Sequence, residues 1–398
     1  MKKSLYLLCF DTLSTLGSGI FTFTCSFYIL QQTGSGSIFG MYLALLAIVN
    51  TISMPLFGNV IGRHRNKTIL FIGQIGSILA LTSFTLFYKG HYQVIFLLMM
   101  VLVVVDVIVK TIVTSNLKWI TGDYLERVIS LRQLIQSASI LASPIIGGIL
   151  ISFLNIQQVA FMNIVTESVA LIFIFFLTFK HGQTQTERQT FWGDFKAGVQ
   201  YLHQMTEVKY LLIIAVFLNF IMNVLIVGVP ILIVQKLSLS AKHLGVAEGT
   251  LGVALILSAL LFSVVPLKKH LRRSFLYALL LQQLILLLYI IINVLGASSM
   301  VVYSVVIIGQ LLLGFSVTLG NIPYQILLQN TVDEAFKSRV FSVNQSLSSA
   351  LVPLSYVLFG YLLPLSFLLT FAGCAIAMAV LIVVFINKIY GQTFEAAS

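Results

Sequence analysis

Five ionisable side chains stand inside stretches that are otherwise apolar: Asp11, Asp106, Lys110, Glu167 and Glu248. A charge in hydrocarbon costs roughly 2.5–3.5 kcal/mol on insertion scales, so each must face protein, water or a partner. Asp106 and Lys110 are four residues apart, on one helical face, with the acid before the base, the favourable order for a helical pair. A permanent pair would only let the helix insert; a pair that breaks could couple proton or substrate arrival to movement. Glu167 follows Asn163 by one turn with no base nearby. It reads either as a group that takes and releases a proton or as a carboxyl hydrogen-bonded within a helix contact. Asp11, a turn before Thr15 and two before Ser18, is a proton or cation site or a snorkelling residue near a helix start. Glu248 is expected at the outer end of its helix, solvated.

The elements that hold these residues follow from composition. Of 398 residues, 59% are hydrophobic and 9% charged, against roughly a quarter charged in a soluble domain. Such a chain belongs in a bilayer, where about 20 apolar residues span the hydrocarbon. Apolar runs between polar breaks predict spans at 5–30, 37–61, 68–88, 93–116, 130–152, 157–179, 210–235, 244–266, 274–294, 299–326, 339–362 and 365–387. The first run follows Lys2 and Lys3 without a small-residue cleavage site, so it is read as a helix and not as a signal peptide. The expected fold is an all-α integral membrane protein of twelve transmembrane helices in two pseudo-symmetric six-helix bundles. Residues 1–180 form the first half, 181–209 a cytoplasmic linker and 210–398 the second half.

With a cytoplasmic N-terminus, nineteen Lys and Arg residues fall in inside segments, among them Arg63, Lys67, Arg127, Arg132, Arg273 and Arg339. Outside loops hold only Lys89, Lys236 and Lys242. That asymmetry predicts cytoplasmic termini. It also explains the formal charge of +11 as a topology signal, so no nucleic-acid partner is expected. The linker carries Phe191, Trp192, Phe195, Val199, Tyr201 and Leu202, the pattern of a short amphipathic helix at the inner membrane surface.

Two segments recur. Arg63 to Leu70 resembles Lys269 to Leu276, both between the second and third helices of a half. Arg127, Val128, Ser130, Gln133, Ser137, Ala138 and Gly148 match residues 212 positions further on, from Arg339 to Gly360. Both copies open the fifth helix of a half, so the halves share one membrane orientation and imply a pathway along their interface.

At these residues the chain resembles the major facilitator superfamily, in its drug-efflux branch that includes macrolide exporters, over nearly its whole length. Gly58 to Lys67 is similar to the family's cytoplasmic loop motif, with Gly58, Arg63 and Lys67 kept and Gly62 in place of the acid. Ser143, Pro144, Gly147 and Gly148 are similar to the fifth-helix antiporter motif, with Ser-Pro for Gly-Pro. Small residues there allow a close crossing, and Pro144 removes a backbone hydrogen bond, so a bend is expected. The family's fourth-helix Arg is not evident; Asp106 and Lys110 stand in that helix instead. The resemblance implies a secondary transporter in a bacterial cell membrane, exporting small molecules, with a monomer as the working unit.

Uncharged polar residues mark an expected substrate cavity: Asn219, Asn223, Gln310, Asn321, Gln136, Asn344 and Gln345. Interhelical hydrogen bonds are their other reading. Phe21, Phe23, Phe27, Tyr28 and Tyr324 could line a cavity for apolar cargo or simply face lipid and neighbouring helices. No HExxH, GxSxG, Walker-type loop or metal-ligand cluster occurs. Cys9, Cys25 and Cys374 show no CxxC spacing. Hence no enzyme, metal or cofactor is expected, and an ion gradient, of protons first, must supply the energy. An exporter of amphipathic or hydrophobic small molecules, coupled to protons and bathed in lipid, is the leading expectation. An exporter or facilitator of lipid or siderophore-like metabolites and a non-transporting membrane sensor are the alternatives.

Overall fold

The computed structural model describes residues 2–63, 65–179, 199–203, 205–264 and 271–390. Among them are twelve long helices and no strand. The first six are α1 (Lys2–Thr33), α2 (Gly36–Arg63), α3 (Asn66–Phe87), α4 (Tyr92–Thr121), α5 (Leu125–Leu150) and α6 (Ile156–Phe175). The rest are α7 (Thr206–Ile231), α8 (Ala241–Val264), α9 (Leu271–Leu295), α10 (Ser299–Thr331), α11 (Glu334–Leu365) and α12 (Phe367–Phe385). Eleven stretches of the described residues are long and apolar enough to cross a membrane, α4 and α5 sharing one of them, Tyr92–Leu150. In hydrocarbon a helix is favoured because it satisfies every interior backbone hydrogen bond within its own segment.

Local chemistry sets where some helices begin. Asn155 caps α6 by accepting the Gln158 backbone N–H at 2.9 Å, while the Gln158 side chain accepts the Asn155 N–H at 2.9 Å, a reciprocal capping box. That fixed start places Glu167 near the helix middle. α5 begins at Leu125, five residues before the expected span, so Arg132 stands two turns inside a helix. The helix also continues through Pro144.

The described residues up to 179, with Ile233–Gly249, form one compact unit; a second holds 199 to Leu232 and Thr250 onward. In the first, α1 packs on α5 and α6, α3 on α4 and α6, and α2 on α4. Its core includes Leu7, Phe10, Leu70, Ile112 and Ile174. In the second, α9 packs on α10 and α12, and α7 on α11 and α12. Tyr289 stacks on Phe371 at 5.0 Å, and Phe275 meets Phe385 at 5.1 Å. Phe87, Phe153 and Leu369 are about three-quarters exposed, as suits side chains whose solvent is lipid.

Phe191 to Lys196 of the expected amphipathic helix lie outside the described residues. Residues 199–203 are helical, but Tyr201 and Leu202 are buried. Tyr201 stacks on Phe336 at 4.5 Å, its hydroxyl donates to Asp333 Oδ2 at 3.2 Å and accepts the Asp333 N–H at 3.1 Å. This part of the apolar face therefore meets the start of α11, where an aromatic neighbour and a polar pair suit a tyrosine better than lipid does.

Candidate functional site

α1 and α6 touch because Gly17 has no side chain: a Cβ there would run into Thr166 Oγ1 and come within 2.9 Å of Asn163 Oδ1. Close packing of this kind brings Ser14 and Ser18, one turn apart on α1, up to Glu167 on α6. Ser18 donates to Glu167 Oε1 at 3.0 Å and Ser14 at 3.2 Å. Gln74 of α3 donates to Glu167 Oε2, and to its backbone carbonyl at 3.4 Å. Glu167 is 5% exposed and Gln74 2%, so the carboxyl is enclosed by three helices and served by three donors. No cation pairs with it among the described residues.

Asp106 of α4 lies within electrostatic reach of both Glu167 and Lys110. The ion pair expected between Asp106 and Lys110 does not form: Asp106 is half-buried and Lys110 exposed. The two remain on one helical face but stand beyond ion-pair distance, so Lys110 acts on Asp106 only through its field. The ion pair among the described residues is instead Asp11 with Arg132, Nε to Oδ2 at 2.6 Å and Nη2 to Oδ1 at 3.4 Å. It ties α1 to α5, so Asp11 is neither a helix-start nor a snorkelling residue.

The antiporter-like motif uses two faces of α5. Ser143 and Gly147 face α1, against Gly19 and Phe23. Pro144 and Gly148 face the first turns of α8: a Cβ on Gly148 would lie 2.6 Å from the Ala241 carbonyl, and one on Gly245 would meet the Pro144 carbonyl. Small residues thus seat α5 against two helices at once. In the cytoplasmic loop motif, Gly58 and Arg63 lie in α2, with their side-chain environment outside the described residues. Lys67 donates to the Phe175 carbonyl at 2.7 Å and sits 5.2 Å from that ring's centroid. It caps the last turn of α6, where a cation is favoured.

The expected cavity residues scatter in their environments. Asn223 is buried and donates to Ser355 at 2.8 Å; Gln310 is buried; Asn344 accepts from Tyr324 at 2.8 Å. Asn219, which donates to its own helix at Ala215, is exposed, as are Asn321, Gln136 and Gln345. Phe21, Phe23 and Phe27 are buried in the packing of the first unit. Ser14, Gln74 and Arg132 were not singled out by sequence. The polar pair Ser14 and Ser18 at helical spacing was a readable signal; Gln74 and Arg132 carried none.

The sequence profile described as Major Facilitator Superfamily matches residues 7–356. Similar proteins include the uncharacterized MFS-type transporter YfiS of Bacillus subtilis (strain 168), 24% identical over 357 residues, covering 87% of this chain and 83% of that protein. Macrolide efflux protein A of Streptococcus pyogenes is 20% identical over 360 residues, covering 87% and 86%. Among solved structures, the nucleoside transporter NupG superposes with a TM-score of 0.77 at 13% identity over 98% and 99% of the two chains. A bacterial homologue of the iron transporter ferroportin, in an inward-facing state, gives 0.73 at 16% identity over 97% and 98%. With twelve helices in the described residues and a profile match across most of its length, the chain belongs to the Major Facilitator Superfamily.

Proposed function

We propose that this transporter, which as a family member works by alternating access, is a proton-coupled exporter of amphipathic or hydrophobic small molecules. It would sit in the cell membrane with both termini cytoplasmic, the orientation supported by the Lys and Arg asymmetry. The observation that carries the coupling is the charge inventory of the first unit. Asp11 is balanced by Arg132 and Asp106 feels Lys110, whereas Glu167 has hydrogen-bond donors but no cation. A proton supplies the missing positive charge. The hydroxyls of Ser14 and Ser18 suit both states, since each can donate to a carboxylate or accept from a carboxylic acid by rotating. Asp106, through its charge, would make the Glu167 proton responsive to events on α4. Export in particular is supported by the name of the streptococcal relative and by the α5 motif.

The test is reconstitution in proteoliposomes with an imposed pH gradient, following internal pH while amphipathic compounds are added. Compound-triggered proton movement that Glu167→Gln abolishes supports the reading. Compound flux without proton movement would sink the coupling.

A further inference from the structure

Glu248 is the carboxyl that the coupling scheme leaves unused. It stands seven residues after Ala241, about 10 Å along α8 from its first residue and so about two turns inside the helix. It is half-buried and, among the described residues, has no hydrogen bond or ion pair. The other intramembrane acids differ: Asp11 has Arg132, Glu167 has its three donors, and Asp106 has the field of Lys110.

Among the described residues, neither α8 itself nor its crossing with α5 offers a base to Glu248. On α8, Lys242 is engaged over the Phe153 ring at 4.7 Å, and His243 pairs with Ser240 at 2.9 Å. Across the crossing, α5 presents Leu141, Pro144, Ile145 and Gly148. The crossing also holds Glu248 in depth. Gly245 and Gly249, on either side of it in sequence, are pressed against α5, a Cβ on Gly249 lying 2.6 Å from Ile145 Cγ1. A short Glu side chain on a backbone so held cannot snorkel to water as Lys or Arg can.

An unpaired carboxyl in an apolar segment either holds a proton or meets a cation from outside the protein. A hard metal ion needs six or more oxygens, and this carboxyl has no oxygen cluster around it. An organic cation needs only one counter-charge and brings its own apolar body, which suits an apolar setting. We propose that Glu248 receives the positively charged group, a protonated amine, of an amphipathic cargo. This rests on the reading of the chain as an exporter of amphipathic small molecules, and it divides the work: the enclosed Glu167 has room for a proton, the partly exposed Glu248 for a larger cation.

The experiment uses the purified full chain and two fluorescent probes of one ring system, 9-aminoacridine, cationic at neutral pH, and acridone, uncharged. Binding titrations compare wild type, Glu248→Gln and Glu248→Asp. Glu248→Gln should weaken 9-aminoacridine about tenfold or more and leave acridone unchanged, and Glu248→Asp should keep most of the affinity. Equal loss of both probes, no loss of either, or a wild type that binds 9-aminoacridine no better than acridone overturns the proposal. So does intact dye binding in a Glu248→Gln protein that has lost proton movement, which would make Glu248 a proton carrier. The exporter reading fails separately, when wild-type vesicles bind the cation through Glu248 but move neither compound nor protons.

Discussion

Ser18 on α1 donates to the Glu167 carboxylate on α6 at 3.0 Å, across a contact so close that Gly17 between them has no space for a methyl group. Substituting Glu167 therefore tests charge, whereas substituting the serines tests how the charge is held. Ser14→Ala with Ser18→Ala should slow compound-driven proton movement without abolishing it. It should also lower stability by about 3–6 kcal/mol, two hydrogen bonds to a charged group at about 1.5–3 kcal/mol each. Ser14→Thr with Ser18→Thr, keeping both hydroxyls, should be milder in the proton assay. Equal effects of the Ala and Thr doubles would show that volume matters and hydrogen bonding does not.

Asp11 and Arg132 form a partly exposed pair between α1 and α5, with side chains 12% and 20% exposed. Removing one partner strands the other. Full burial would make that loss 3–5 kcal/mol; partial exposure brings it to about 2–3 kcal/mol. Asp11→Asn and Arg132→Gln should each lower the melting temperature in detergent, and the double variant should be less harmful than the sum of the two. Additive losses would mean the pair contributes no coupling energy.

The crossing of α5 with α8 depends on missing side chains. Gly148→Leu and Gly245→Leu place atoms where backbone carbonyls of the other helix already stand, at Ala241 and Pro144. Both should fall to low yields of folded protein, read by size-exclusion profile. Gly76→Leu is the control, since a Cβ there meets nothing within 4 Å.

Tyr201 holds residues 199–203 against the start of α11 by ring stacking and by two hydrogen bonds to Asp333. Tyr201→Phe keeps the stack and should accelerate hydrogen exchange in the first turn of α11 modestly, whereas Tyr201→Ala should accelerate it strongly. Identical exchange in the two variants would assign the docking to the hydroxyl alone.

Lys67 places its ammonium on the last turn of α6. Lys67→Met should cost about 0.3–1 kcal/mol, the usual worth of a cation at a helix C-terminus, and Lys67→Arg should keep most of it, both read by thermal melting.

Membrane class, helix number and the repeat at residues Arg127 and Arg339 could be read from the chain itself, because bilayer thickness imposes a span length and insertion imposes a charge bias that any single sequence must display. Glu167 was visible for the same reason: a carboxylate in an apolar run is conspicuous without knowing its neighbours. What surrounds it was not visible. Gln74 is 93 residues from Glu167 in sequence and Arg132 is 121 from Asp11, and nothing in their own flanks announces those contacts. Local spacing even pointed the other way, pairing Asp106 with Lys110 on one face and leaving Arg132 at the inner end of a span with no named partner. Helix packing decided these matters, because the partner of a buried charge is chosen by which faces of α1, α3, α5 and α6 meet, and that depends on small residues such as Gly17 and Gly147 whose importance lies only in what stands opposite them.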